Sequence, residues 1–417
     1  MNEVDELVRD VLTEQADAQS PASTLLADRV LTAHRRRAQR RIVGVAAVTA
    51  AVVGLAFWGP LPGGAGHTPA GKEQGAAKEI VAHPDQSPPR DLIAAGDVMM
   101  AGYVVPERVL FEEKGEKSSE EFSEGEIRRT FWLLDPDSRT YEKDERWSTL
   151  AIAPSGLQAA VLERGLPSRR IGILDLRTRE VERWIDIGGD DRQGIGGLAF
   201  SQDGASLLAT TYHDNPDRLL EDASGTVRQF VESTRTGFWH LDLATGERHW
   251  AAVEAPVEKE HGFEWSLINT RQDFEYTQDG RAVRSGLTSR PGRVFHDLRG
   301  RSIDPPPGEV DWEPSVEAGV SPDGRLMAGP FAGKRLGTSS WILDTRTGRK
   351  TEVPGQQLLA WAGNDSLIAW DIGKGSSSEH ANRLVLVTIG SDRTVPLSGP
   401  RGSKGDKGRW QPLFVRR

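Results

Sequence analysis

The stretch 198–210, LAFSQDGASLLAT, decides the fold. Two short runs of alternating apolar residues flank Asp203-Gly204. An Asp-Gly pair supplies the positive-φ backbone that a tight hairpin needs, and the alternation gives strands with one buried face. The pattern recurs at 150–162 (LAIAPSGLQAAVL), 274–286 (FEYTQDGRAVRSG) and 318–330 (AGVSPDGRLMAGP), with weaker copies at 358–370 (LLAWAGNDSLIAW) and 91–103 (DLIAAGDVMMAGY). A second motif follows each: FWLLDPDSR, IGILDLRTR, FWHLDLATG, VFHDLRGRS, WILDTRTGR and a degraded RLVLVTIGS, with a central Asp at 135, 175, 242, 297 and 344. Two hairpins per repeat make a four-stranded antiparallel unit. About six such units predict an all-β chain folded as a β-propeller, with seven blades as the alternative count. Trp132, Trp239 and Trp341 stand three residues before the motif Asp, where the other copies have Gly172 and Val294. A Trp recurring at one repeat position is read as inter-blade packing.

The APSG, SQDG, TQDG and SPDG turns followed by D-L-x-T-G-like turns resemble the WD40-like (PD40) repeats of TolB-type and prolyl-oligopeptidase-type propellers, over roughly residues 91–415. True WD40 repeats carry a Gly-His and a Trp-Asp in each blade. This chain has one Trp-Asp, Trp370-Asp371, so the PD40 comparison is the better one. The resemblance implies a propeller and no particular activity, because such scaffolds host many functions. TolB's own N-terminal domain has no counterpart in residues 1–90.

Those residues read differently. The segment 42–58, IVGVAAVTAAVVGLAFW, carries no charge and follows Arg35, Arg36, Arg37, Arg40 and Arg41. With Leu61 it reaches the length of a spanning helix, and the positive flank places the N-terminus in the cytoplasm. A cleaved signal peptide fits less well, since about forty residues precede the apolar run and GPLPGGAGH offers no A-x-A-like site. The expected organisation is a cytoplasmic helical segment at 1–41, a transmembrane helix at 42–61, a flexible Gly/Pro/Ala-rich linker at 62–90 and an extracytoplasmic propeller at 91–417. Val4, Leu7, Val8, Val11 and Leu12 form a short amphipathic stripe, suited to a partner or to the inner leaflet.

Composition narrows the chemistry. Among 417 residues there is no Cys, which excludes thiolate catalysis, Cys-ligated zinc, iron–sulfur clusters and disulfides. A net charge of −9 argues against a nucleic-acid partner. No Gly-x-Ser-x-Gly elbow, His-Glu-x-x-His, phosphate loop or dinucleotide fingerprint is present. No enzyme activity, catalytic residue, cofactor or metal is therefore expected.

With strands lettered A to D outwards, the B–C and D–A loops share one face. From turn Gly to motif Asp, blades two, four and five take 19, 17 and 20 residues (Gly156–Asp175, Gly280–Asp297, Gly324–Asp344). Blades one and three take 39 and 38 (Gly96–Asp135, Gly204–Asp242), and the D–A connection 250–267 is also long. Long loops on a rigid scaffold are where binding is usually placed. The candidate binding face carries Tyr212, His213, Asp214 and Asp217 from blade three, His261 and Trp265 from the D–A connection, and Arg164, Arg290 and Arg335 as counter-charges. The blade-one insertion, 111–127, is rich in Glu and reads as a solvated acidic loop or a surface for a basic peptide. The closing segment 410–415, WQPLFV, is expected to pair with the first blade and seal the ring. The function expected is a membrane-anchored, monomeric ectodomain binding a protein, peptide or other ligand. The alternatives are a hydrolase or lyase with its site over the channel, and a transmembrane regulator whose residues 1–41 hold a signalling partner.

Overall fold

The computed structural model describes residues 79–111, 123–221, 227–229, 233–260, 263–266, 271–287, 292–306, 309, 316–333, 338–372, 380–402 and 409–417. All belong to one compact unit, Gln74–Arg417. The expected cytoplasmic segment, anchor and most of the linker lie outside the described residues. Among the described residues no helix is long and apolar enough to cross a membrane.

The strands form a six-bladed propeller. Blades two, three, four and six are four-stranded antiparallel sheets with sequential neighbours paired. Blade two, for example, runs Trp147–Ile152, Gln158–Glu163, Arg170–Asp175 and Val181–Asp186. Blade five has three full strands, and its inner strand is marked by the bridge between Val320 and Met327. The innermost strand of blade one comes from the other end of the chain. Gln411–Arg416 pairs antiparallel with Val98–Leu110, from Val98 opposite Arg416 to Val104 opposite Gln411. This closure matches the expectation from WQPLFV and removes an exposed sheet edge.

The motif residues explain the turns. In the D-x-x-T-G copies the Asp side chain caps its own turn: Asp242 Oδ1 accepts from the amides of Ala244 (3.0 Å) and Thr245 (2.7 Å), and Asp344 Oδ1 from those of Arg346 (3.1 Å) and Thr347 (2.8 Å). Gly246 and Gly348 then take φ of 74° and 70°, where a side chain would be strained. In the S/T-x-D-G copies the first hydroxyl donates to the Asp, at 2.6 Å from Ser201 to Asp203 and 2.7 Å from Thr277 to Asp279.

The core lies between blades. Leu162, Ile171 and Ile173 of blade two meet Ile195, Leu207 and Leu241 of blade three, with Trp239 packed alongside. Trp132 packs in the same way at the seam of blades six and one. That seam is also the aromatic centre of the closure. Trp410 is fully buried, edge-on to Trp370 (5.0 Å between centroids) and to Tyr103 (5.7 Å), and its indole donates to Ser87 Oγ at 3.2 Å.

The body begins upstream of Asp91. Val81 and Ala94 exchange backbone hydrogen bonds of 2.8 and 3.0 Å, and the His83 amide donates to the Leu397 carbonyl at 2.9 Å. Residues from Glu79 to Arg90 thus pack on the closing seam, although their Pro- and Ala-containing composition reads as tether. Val81 and Ala82 supply the apolar contacts that hold them.

Truncating Trp410 should therefore be among the costliest single changes. Trp410→Ala is expected to lower the unfolding free energy by about 3–5 kcal/mol in chemical denaturation. Deleting 410–417 should leave Val98–Val104 as an open edge, seen as loss of monomer in light scattering.

Candidate functional site

The long insertions do not stand apart from one another. Blade one extends its B–C hairpin so far that Val98–Leu110 and Ser123–Leu134 pair continuously from Gly102 opposite Leu133 to Leu110 opposite Gly125. The blade-three insertion supplies Arg218–Glu221, which pairs with the far end of that hairpin, Arg218 opposite Glu126 and Glu221 opposite Ser123. The two insertions form one sheet that passes over blade two on the loop face. Leu219, in the middle of that strand, is buried.

A charged knot fastens the sheet to the scaffold. Asp217, 2 % exposed, accepts from Arg129 at 2.5 and 2.8 Å and from Arg271 at 2.8 Å. Arg271 also donates to Asp273 (3.0 Å) and to the Gly196 carbonyl of the blade-three inner strand (2.6 Å). Tyr212 donates to Asp273 at 2.8 Å. Burial pushes the Asp217 carboxyl up, but the guanidinium groups of Arg271 and Arg129 outweigh it and hold it below the usual carboxylate range. Burial raises the Tyr212 phenol well above its ordinary value.

The sequence candidates therefore fall into three groups. Tyr212 and Asp217 are buried members of this knot, with their polar atoms committed inside the protein. His213 is exposed, Asp214 is half-buried and accepts from Arg218 at 3.3 Å, and exposed Arg164 lines a crevice of about 20 Å³ beneath the sheet and donates to the Glu145 carbonyl at 2.7 Å. Trp265 lies in a separate two-stranded hairpin, its backbone opposite Glu258. His261, Arg290 and Arg335 lie outside the described residues.

A larger opening sits at the channel mouth on the same face. A cavity of about 980 Å³ is lined by Val105, Pro106, Leu359 and Leu413, together with Gln357 and Gln411, the first residues of two innermost strands. Arg108, Arg401 and Arg409, and Glu107 and Glu317, also line its walls. Sequence spacing did not single these residues out, because they lie within or just before inner strands or on the blade-one hairpin, not in the tips of the long B–C loops. The signal was the position just before each inner strand. Glu317 accepts from Gln357 Nε2 at 3.1 Å. Glu317 is exposed to the channel water, yet the protein around the channel, with Glu275 as a like charge, pushes its carboxyl up to about 7. Among the described residues no group of three His, Asp or Glu is placed to hold a metal ion.

No family model matches this sequence. No curated protein matches it. Among solved structures, the chain is similar to TolB from Acinetobacter baumannii, at 16 % identity over 72 % of this chain and 66 % of that one, with a TM-score of 0.34. It is likewise similar to an oligogalacturonate lyase in complex with manganese, at 13 % identity over 75 % of this chain and 98 % of that one, with a TM-score of 0.34. The propeller itself is established by the strand pairing above.

Three outcomes follow. Asp217→Asn should cost about 3–5 kcal/mol in denaturation, because it breaks a buried ion pair shared by two arginines. His213→Ala should stay within about 0.5 kcal/mol. For Glu317, a carboxyl raised in the folded state binds protons the unfolded chain has released, so its contribution turns against folding as pH rises from 4.5 towards 7. Glu317→Gln should raise the melting temperature more at pH 8 than at pH 5. An equal shift at both would show that Glu317 titrates normally.

Proposed function

We propose that this chain is a membrane-tethered binding module that takes a protein, peptide or other ligand at the loop-face mouth of its propeller channel. The observation that carries this reading is the cavity of about 980 Å³, a size suited to a ligand rather than to solvent alone. Its walls combine apolar side chains with charged and amide groups that can orient a ligand. The shared sheet over blade two holds the neighbouring loop face in place, so the mouth is presented by a fixed scaffold. The charge-free run 42–58 and the preceding Arg cluster support an anchor, with the propeller on the extracytoplasmic side.

A second reading, a hydrolase or lyase acting over the channel, draws on Glu317. A carboxyl held near neutrality inside a cavity has the protonation behaviour of a general acid or base.

Photo-crosslinking in the native membrane separates the faces. A photoreactive residue replacing Glu107 or Gln411 of the full-length chain is expected to yield a discrete adduct, and one replacing Asp203 or Thr347 on the tight-turn face is not. Filling the cavity with Leu413→Trp should abolish the adduct. Equal adducts from both faces, or adducts indifferent to the filling, would count against the channel mouth.

A further inference from the structure

Two arginines, Arg401 and Arg409, line one cavity close enough for their charges to repel, with no ion pair to either among the described residues. Arg401 is 7 % exposed and makes no ion pair with a described residue. Its guanidinium lies over the Trp370 ring, 3.7 Å from the centroid. Its Nε donates to Asn382 Oδ1 at 2.7 Å and its Nη1 to the Trp410 carbonyl at 2.9 Å. Those three contacts fix the group and leave Nη2 with no protein acceptor among the described residues. Arg409, next to Trp410 in the chain, is half-buried and lines the same cavity, and its side chain makes no hydrogen bond to a described residue. Burial and the adjoining Arg409 charge push Arg401 down to about 10. Among the described residues the acids of the cavity are Glu317, which accepts from Gln357, and Glu107, exposed on the blade-one hairpin, and neither has an ion pair with Arg401 or Arg409.

A like-charge pair held this way is unfavourable unless an anion joins it. The planar fork of an arginine matches a carboxylate in bidentate geometry, and among the described residues Arg409 has no partner for that fork. Beyond the arginines the walls are mixed: Val105, Pro106, Leu359, Pro412 and Leu413 form an aliphatic and prolyl part, and acidic, amide and hydroxyl groups line the rest. The aliphatic part offers a surface for aliphatic side chains.

We infer that the cavity holds the free carboxy terminus of a peptide with aliphatic end residues, its carboxylate on Arg409 and Arg401 and its side chains against Leu359 and Leu413. This rests on the channel mouth being the binding site. Arg409 makes the direct contact, while Arg401, held by Trp370, Asn382 and Trp410, supplies a fixed positive charge beside it.

The test uses a dye-labelled Gly-Ala-Leu-Leu peptide as the free acid and as its C-terminal amide, titrated into the detergent-solubilised full chain, with inorganic phosphate as competitor. The acid is expected to bind about tenfold or more tighter than the amide, the size of effect a lost charge-assisted bond gives. Arg409→Gln should bring the two within about twofold of each other. It lies at a cavity wall and is expected to fold normally. Leu413→Trp should weaken both peptides. Acid and amide binding alike, with both lost on filling, would overturn the carboxylate contact and leave the channel-mouth reading standing. Indifference of bound peptide to Leu413→Trp would overturn that reading itself. Phosphate binding with both peptides silent, or no binding by any probe, would overturn the peptide assignment.

Discussion

Everything on the loop face depends on one strand pairing, that of Gln411–Arg416 with Val98–Leu110. Without disulfides, a ring of blades is held only by packing between neighbours and by this closure. The closing strand brings Trp410 into the seam with Trp370 and Tyr103, and seats Arg401 and Arg409 at the channel mouth. The interaction that completes the fold therefore also builds the most concave part of its surface. Structural closure and candidate site share the same residues, so Arg401 serves both as a bond to the Trp410 carbonyl and as a charged wall.

The second constraint is the sheet shared by blades one and three. Loops of this length are ordinarily the least constrained parts of a propeller. Here they satisfy each other's backbone and are tied down by Asp217, Arg129 and Arg271, groups drawn from two insertions and the blade-four entry. A buried ion network is weak evidence for stability in itself, since desolvation offsets much of its attraction. Its effect is positional: the knot forces the blade-one hairpin to lie across blade two and so shapes one wall of the channel mouth.

Local features made the blades legible from sequence. Asp203-Gly204 and its copies encode hairpins within a dozen residues, and Asp242 and Asp344 cap their turns through atoms two and three residues away. The closing strand was legible because the apolar-rich WQPLFV follows the last blade and has no partner nearby. The shared sheet was not, because Arg129 and Asp217 are 88 residues apart and nothing local encodes their meeting. An aspartate such as Asp217 has the same residue type whether it waits for a ligand or is consumed by two arginines. Only burial tells the two apart. Arg401 and Arg409 were missed for a related reason: they sit in a Gly- and Arg-rich connection whose composition reads as a plain loop. The start of the body at Glu79 was hidden because only Val81 and Ala82 distinguish that stretch from a tether.

The central claim, that the channel mouth on the loop face takes the ligand, is tested most directly by backbone hydrogen exchange of the full chain with and without the partner it captures in the membrane. The account predicts slowed exchange at the entry ends of Gln357–Trp361 and Gln411–Arg416 and along Val104–Arg108, with the turns at Gly204, Gly280 and Gly324 unchanged. Protection confined to those turns, with the strand entries exchanging as before, would contradict it.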